Sequence, residues 1–319
     1  MAPFEVPPFI TAENRFADEY SARKLARQVA SGALVRVRRG LYLPTDVWNT
    51  LRPWEQYRVR IEAVHLLAKN RPVFAHESAA QILGLPLITI PRDVHTVVSG
   101  GRSGGQSSNG IRRTLQLPDD PPPWEVQGIL VTPPPQTVRD LALRLPLTHS
   151  LPAIDRLMQA TALPSLSRHG SPIFTQDHVR AAAAMLPYAA QRRRVGRVVD
   201  VSVDTSQSAG ESFSRAIMLQ NGFPAPELQT AMLDRAGFIG YTDFCWESHK
   251  LIGEFDGHEK YSAQQYLKGM TPSDTVIREK NRENRLRALG YTVVRWEWQD
   301  LKHPERLIHL LQDAGLPRR

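Results

Sequence analysis

The residues best placed to do chemistry lie in one predicted hairpin, GYTDFCWESHKLIGEFDG, from Gly240 to Gly257. An even turn centred on Ser248-His249 sets Asp243 opposite Glu254 and Tyr241 opposite Asp256. Directly opposed residues share a face, with Cβ atoms roughly 5 Å apart. Side chains along a strand alternate, so Asp256 shares that face with Glu254. Three carboxylates, Asp243, Glu254 and Asp256, are thus expected on one patch among Phe244, Trp246, Leu251, Ile252 and Phe255. Half-buried anions so close repel unless a cation neutralises them. A hard divalent ion held by oxygen ligands, Mg²⁺ or Mn²⁺, is the expected solution. Glu211 on the preceding helix is a fourth candidate carboxylate. Lys260 and His258, just past the hairpin, are candidates for stabilising charge that develops on a phosphate.

The elements that must position these groups are legible around them. A helix is predicted over Glu211–Gln220, stopped by Asn221-Gly222, with a strand after Pro226. The hairpin strands run Phe238–Glu247 and Lys250–Asp256. A charged helix follows over Val276–Leu289, then a strand over Tyr291–Trp298 and a final helix over Pro304–Asp313. Helix, β-meander, helix, strand is the order of a small α/β core. On the charged helix, Arg278, Lys280, Arg282, Arg285 and Arg287 alternate with Glu279 and Glu283, as expected of ordinary i,i+3 and i,i+4 pairing on a solvated face.

The N-terminal region carries a different signal. Thr11 is a cap for a short helix (12–16), and Ser21 for a second (22–31) that closes at Gly32. Leu34, Val35 and Val37 alternate with Arg36 and Arg38. Arg39-Gly40 turns the chain, and Leu41-Tyr42-Leu43 returns. A helix followed at once by a basic hairpin is a winged helix-turn-helix layout. Residues 21–60 hold nine Lys or Arg against two acids, an excess that nearly equals the net charge of +8 for all 319 residues. The basic charge is therefore concentrated there, and a polyanion, DNA, is the expected partner. The expected DNA contacts are Arg23, Lys24 and Arg27 on the helix with Arg36, Arg38 and Arg39 on the hairpin.

Composition narrows the alternatives. One cysteine, Cys245, leaves no disulfide framework or cysteine-based zinc knuckle. No apolar run approaches the ~18 residues of a membrane span. The first residues lack the basic-then-apolar pattern of a secretion signal, so a cytoplasmic location is expected. The fold class expected is α+β in three parts: a winged helix-turn-helix over 1–70, a middle α/β linking domain over 71–197 and a nuclease-like α/β core over 198–319. Helices are predicted over 53–69, 135–143, 151–160 and 175–184, and Arg192–Arg197 reads as an exposed helix end. Residues 99–110, with nine Gly or Ser in twelve, read as a tether.

Several stretches carry family resemblances. GES at Gly210–Ser212, TDF at Thr242–Phe244, GEFDG at Gly253–Gly257, REKNRENRLRALGY at Arg278–Tyr291 and VVRW at Val293–Trp296 together resemble the very-short-patch-repair-like endonucleases. That resemblance implies a PD-(D/E)XK restriction-endonuclease fold, with Asp243 and Glu254 as metal-binding acids and Glu211 as the acid on the first helix. It also implies a lysine where this chain has Asp256, so the lysine's role passes to Lys260 or Lys280, or is absent. LVRVRRGLYLP at Leu34–Pro44 resembles the AbiEi-type antitoxin winged helix of bacterial type IV toxin–antitoxin and abortive-infection loci. HESAAQILGLPL from His76 and GILVTPPPQTVRDLA from Gly128 resemble the domain that follows it in such proteins. The resemblances imply metal-dependent DNA cleavage in bacterial defence. The alternative is a non-catalytic transcriptional regulator or antitoxin, with a toxin partner or a homodimer.

Overall fold

The structure is a computed structural model that describes residues 4–11, 22–98, 109–159, 173–257 and 272–318. It is an α+β protein with three separate sheets. The chain forms two compact units, one from residues 1–144 and 160–196, the other from 145–159 and 197–319.

In the first unit, β1 (Ile10–Thr11) pairs with β3 (Leu41–Pro44), which pairs with β2 (Leu34–Arg38). Before the hairpin comes α1 (Ala22–Ala30), with Leu25 fully buried. Gly32, at φ +77, ends the helix as its position after Ser31 predicts. The helix predicted over 12–16 lies outside the described residues. α2 (Thr45–Thr50) and α3 (Pro53–Leu67) follow, the latter opened by proline in its first turn. A five-stranded sheet comes next, in the order β6-β5-β4-β8-β7. Its strands are β4 (Val73–Phe74), β5 (Val94–Val98), β6 (Ile111–Leu115), β7 (Trp124–Val126) and β8 (Ile129–Val131). α4 (His76–Leu83), α5 (Pro134–Arg144) and α7 (Gln176–Ala184) complete the unit, and its division from the second falls within α8 (Ala189–Asp200).

The expected boundary at residue 70 is corrected by this unit. The Tyr57 hydroxyl on α3 meets the Ser78 hydroxyl on α4 at 2.7 Å and lies 3.1 Å from the Asp93 carbonyl. Ser78 Oγ in turn accepts the backbone N–H of His95 on β5 at 2.8 Å. Glu77, 4% exposed, lies 3.4 Å from Arg144 and 3.6 Å from His95. Buried polar groups must be satisfied, and here their partners lie on both sides of the expected boundary. The Arg192–Arg197 cluster is also reassigned: it sits within α8, with Arg193, Arg194 and Arg197 exposed, rather than at a helix end.

The second unit begins earlier in the chain than expected, with α6 (Leu147–Met158), then α9 (Ala209–Gln220). Asp155 of α6 and Arg215 of α9 form an ion pair at 2.7 Å, with both side chains at least 94% buried. Asp155 also accepts the Val203 N–H at 2.9 Å. That pair ties residues 145–159 to the part of the unit that resumes at Arg197, one residue from the expected boundary. The sheet has the order β12-β11-β10-β9, built from β9 (Glu227–Asp234), β10 (Gly237–Trp246), β11 (Leu251–Asp256) and β12 (Thr292–Glu297). The first three are antiparallel neighbours and β12 runs parallel to β11, so the chain must cross over, which it does through α10 (Pro272–Ala288). α11 (Trp298–Leu301) and α12 (Pro304–Asp313) end the chain.

The two faces of this sheet are distinct. Phe244, Phe255 and Trp296 face α9, where Gly210 leaves room for the Phe255 ring and Ser214 accepts the Trp296 indole N–H at 2.8 Å. Met232, Cys245, Ile252, Leu286 and Tyr291 form the core on the other face, beneath α10. Removing one partner of a buried pair leaves the other charge uncompensated, at about 3–5 kcal/mol. Asp155→Ala should therefore destabilise the second unit to urea by that amount; an unchanged midpoint would show that α6 is not integral to it.

Candidate functional site

On the helix-and-hairpin surface, a bulge between Arg36 and Arg38 sets Arg38, not Val37, opposite Leu41. The strict alternation expected along β2 is thereby broken. Arg38 is half-buried, donates to the Asn109 carbonyl at 3.2 Å, and its guanidinium pKa is lowered by burial and by Arg113. Lys24 is half-buried as well. Arg23, Arg27, Arg36 and Arg39 are exposed, and none pairs with a carboxylate among the described residues. Four of the six expected DNA contacts therefore point to solvent.

On the second unit's sheet, the register is the one an even turn requires: Phe244 opposite Gly253, Cys245 opposite Ile252, Trp246 opposite Leu251. Glu247–His249 form a short 3₁₀ turn and Lys250, at φ +47, completes it. Backbone pairing of β10 with β11 stops at Phe244–Gly253. One residue on, Asp243 Oδ2 accepts the Phe255 N–H at 2.8 Å, a side chain taking the place of a strand carbonyl. Asp243 and Glu254 are buried, at 8% and 7% exposure. Burial pushes the Glu254 carboxyl up to about 7, the Asp243 charge adds to this, and Arg282 and Arg295 oppose it.

Two arginines meet these acids. Arg282 of α10 donates from Nη2 to Glu254 and to the Tyr241 carbonyl, both at 2.8 Å, and from Nη1 to Glu279 at 3.1 Å. Gly240, at φ +153, gives it room, since a Cβ there would lie 3.1 Å from Arg282 Nε. Arg295, beside Glu254 in the parallel β11–β12 pairing, binds Glu279 and lies 3.6 Å from Asp256 and 3.5 Å from Glu283. Reading α10 from sequence as a solvated face missed this. The Glu279–Arg282 pair does form, but the guanidinium reaches past it onto the strands. Gly240 inside a strand was the available signal, because glycine there marks a close approach.

Three of the predicted site residues do not assemble as expected. Asp256 is drawn to Arg295, and Glu254 to Arg282. Glu211 is 2% exposed but serves its own helix: it accepts from Ser208 Oγ and from the Gln207 N–H, both at 2.8 Å, while its N–H donates to Ser208 Oγ. Ser208 thus caps α9 by accepting the Glu211 N–H, and the Glu211 carboxylate holds the turn that leads into the helix. Among the described residues no three His, Cys, Asp or Glu side chains gather as a metal ion would require. One oxygen of each of these carboxylates faces a donor: Asp243 Oδ2 the Phe255 N–H, Glu254 Oε1 the Arg282 guanidinium and Asp256 Oδ2, at 3.6 Å, that of Arg295. Lys260 and His258 lie outside the described residues, and Lys280 is exposed.

The raised Glu254 carboxyl has a consequence for stability. The folded state holds its proton more tightly than the unfolded chain, so stability contributed below pH about 4.5 is lost as pH rises through about 7. Urea unfolding between pH 5 and pH 8 should show this decline, up to about 3 kcal/mol. Glu254→Gln should remove that part of the profile; equal slopes in both proteins would show that Glu254 ionises normally.

No protein-family model matches the chain. Two curated relatives are "Uncharacterized protein MT2308" of Mycobacterium tuberculosis strain CDC 1551 / Oshkosh and "Uncharacterized protein Rv2248" of strain ATCC 25618 / H37Rv. Each is 26% identical over 171 residues, covering 53% of this chain and 55% of the relative. The chain thus spans about half the length of the curated relatives it matches. Among solved structures, the crystal structure of the Rv2827c protein from Mycobacterium tuberculosis aligns with a TM-score of 0.35 at 12% identity, covering 72% of this chain and 84% of that one. No helix among the described residues is long and apolar enough to cross a membrane.

Proposed function

We propose that the chain is a DNA-binding protein of the regulator or antitoxin kind. In this reading the helix-and-hairpin surface contacts DNA and the second unit is a nuclease-like core without cleavage activity. The observation that carries it is the group of exposed guanidiniums, Arg23, Arg27, Arg36 and Arg39, on one short helix and the hairpin after it. Guanidiniums that no carboxylate among the described residues holds can neutralise phosphates and release counterions. The absence of cleavage is supported by the donors already bound to Asp243, Glu254 and Asp256.

A second reading, a Mg²⁺- or Mn²⁺-dependent endonuclease, is favoured by one observation. Between the strand face and α10, the carboxylates Asp243, Glu254, Asp256, Glu279 and Glu283 outnumber Arg282, Arg287 and Arg295, and an excess of acids there attracts cations.

Both readings predict DNA binding. Replacing Arg23, Arg27, Arg36 and Arg39 with glutamine should weaken it on every sequence tested. The salt slope should fall by about 0.9 for each phosphate that the variant no longer neutralises. An unchanged slope would reduce the basic surface to a solvated face. Incubating the full chain with single- and double-stranded DNA in Mg²⁺, Mn²⁺ or EDTA separates the two readings. Intact DNA throughout is expected; metal-dependent nicking that Asp243→Asn abolishes would establish the endonuclease instead.

A further inference from the structure

We propose that Arg282 is the resident counter-ion of the Asp243–Glu254 pair, standing where such a pair of strand carboxylates would otherwise take a divalent cation. The proposal deepens the non-cleaving reading of the second unit.

A carboxylate as buried as Glu254, with Asp243 on the neighbouring strand, needs positive charge nearby, because burial and the Asp243 charge both oppose the ionisation of Glu254. Arg282 and Arg295 both bring charge near it, and Arg282 is the one that hydrogen-bonds it. Three features distinguish it from a chance surface pair. Its Nη2 hydrogens are used by two acceptors, Glu254 and the Tyr241 carbonyl, on adjacent strands, while Nη1 is held by Glu279 of its own helix. Its side chain is 19% exposed, so it is mostly removed from competing water. Its path over β10 is eased by Gly240, since a Cβ there would lie 3.1 Å from Nε in a backbone conformation that favours glycine.

The neighbouring acids also face donors of their own: Asp243 Oδ2 accepts the Phe255 N–H, and Asp256 lies 3.6 Å from Arg295, which also binds Glu279. Mg²⁺ sits about 2.0–2.1 Å from its ligand oxygens and keeps several waters. A guanidinium nitrogen 2.8 Å from the Glu254 oxygen fills that space with charge of the same sign. Ion and arginine are therefore alternatives.

The test uses the full chain and Mn²⁺ alone, with the free ion counted by electron paramagnetic resonance and melting followed in parallel. The wild type should show no Mn²⁺ binding that Glu254→Gln removes. Arg282→Gln should gain Mn²⁺ affinity by about tenfold or more, with a matching metal-dependent rise in melting temperature. Arg282→Gln combined with Glu254→Gln should lose that gain. If Arg282→Gln does not fold, the double variant decides: its recovery supports the counter-ion role, because the single variant left a carboxylate unpaired. Wild-type binding that depends on Glu254 would overturn the proposal, as would a folded Arg282→Gln protein with no gain, or a double variant no more stable than an unfolded single one. None of these outcomes depends on DNA binding, so failure of the helix-and-hairpin surface to bind DNA is read separately.

Discussion

The neutralisation of Glu254 is the constraint around which the second unit is arranged. A carboxylate on a central strand, covered by a helix, cannot keep its charge without a partner that travels to it. Arg282 supplies that partner from α10 and Arg295 from β12, so helix and strand are held to the sheet by charge as well as by Leu286 and Tyr291. Glu279 lies between the two arginines and binds both. The network therefore has directional requirements: the α10 helix can take only the rotation that points positions 279, 282 and 283 at the strands.

The opposite face of the same sheet is governed by volume instead. Gly210 and Gly253 remove side chains where the Phe255 and Trp296 rings must lie. A polar tie runs across this layer, the bond from the Trp296 indole to Ser214. One sheet thus combines an aromatic layer against α9 with an ionic layer toward α10, which is how a six-residue strand such as β11 can be buried along nearly its whole length.

Local pattern made much of this legible. Periodicity and turn chemistry located the hairpin register, the close of α1 at Gly32 and the run of α12 from Pro304 to Asp313. These depend on neighbours in sequence. What stayed hidden depends on partners far apart in the chain. Arg282 could be read as a helix-surface residue because its i−3 glutamate satisfies that reading by itself. Asp256 could be read as a ligand because alternation gives its face but not what β12 brings beside it. Glu211 shows a third kind of gap: a buried acid at the third position of a helix suits a cap as well as a site, and only the bonds from Ser208 and Gln207 decide. The bulge at Val37 likewise re-aimed Arg38 against a simple count of two.

The placement of α6 has a consequence for how the protein is made. Asp155 leaves the ribosome 60 residues ahead of Arg215. At about 5–20 residues per second, that is a wait of roughly 3–12 s. During this interval the nascent chain carries α6 with its charge unanswered, while the stretch that completes the first unit is synthesised in between. Vectorial synthesis thus completes the first unit's sequence while the second still lacks the strands of its sheet.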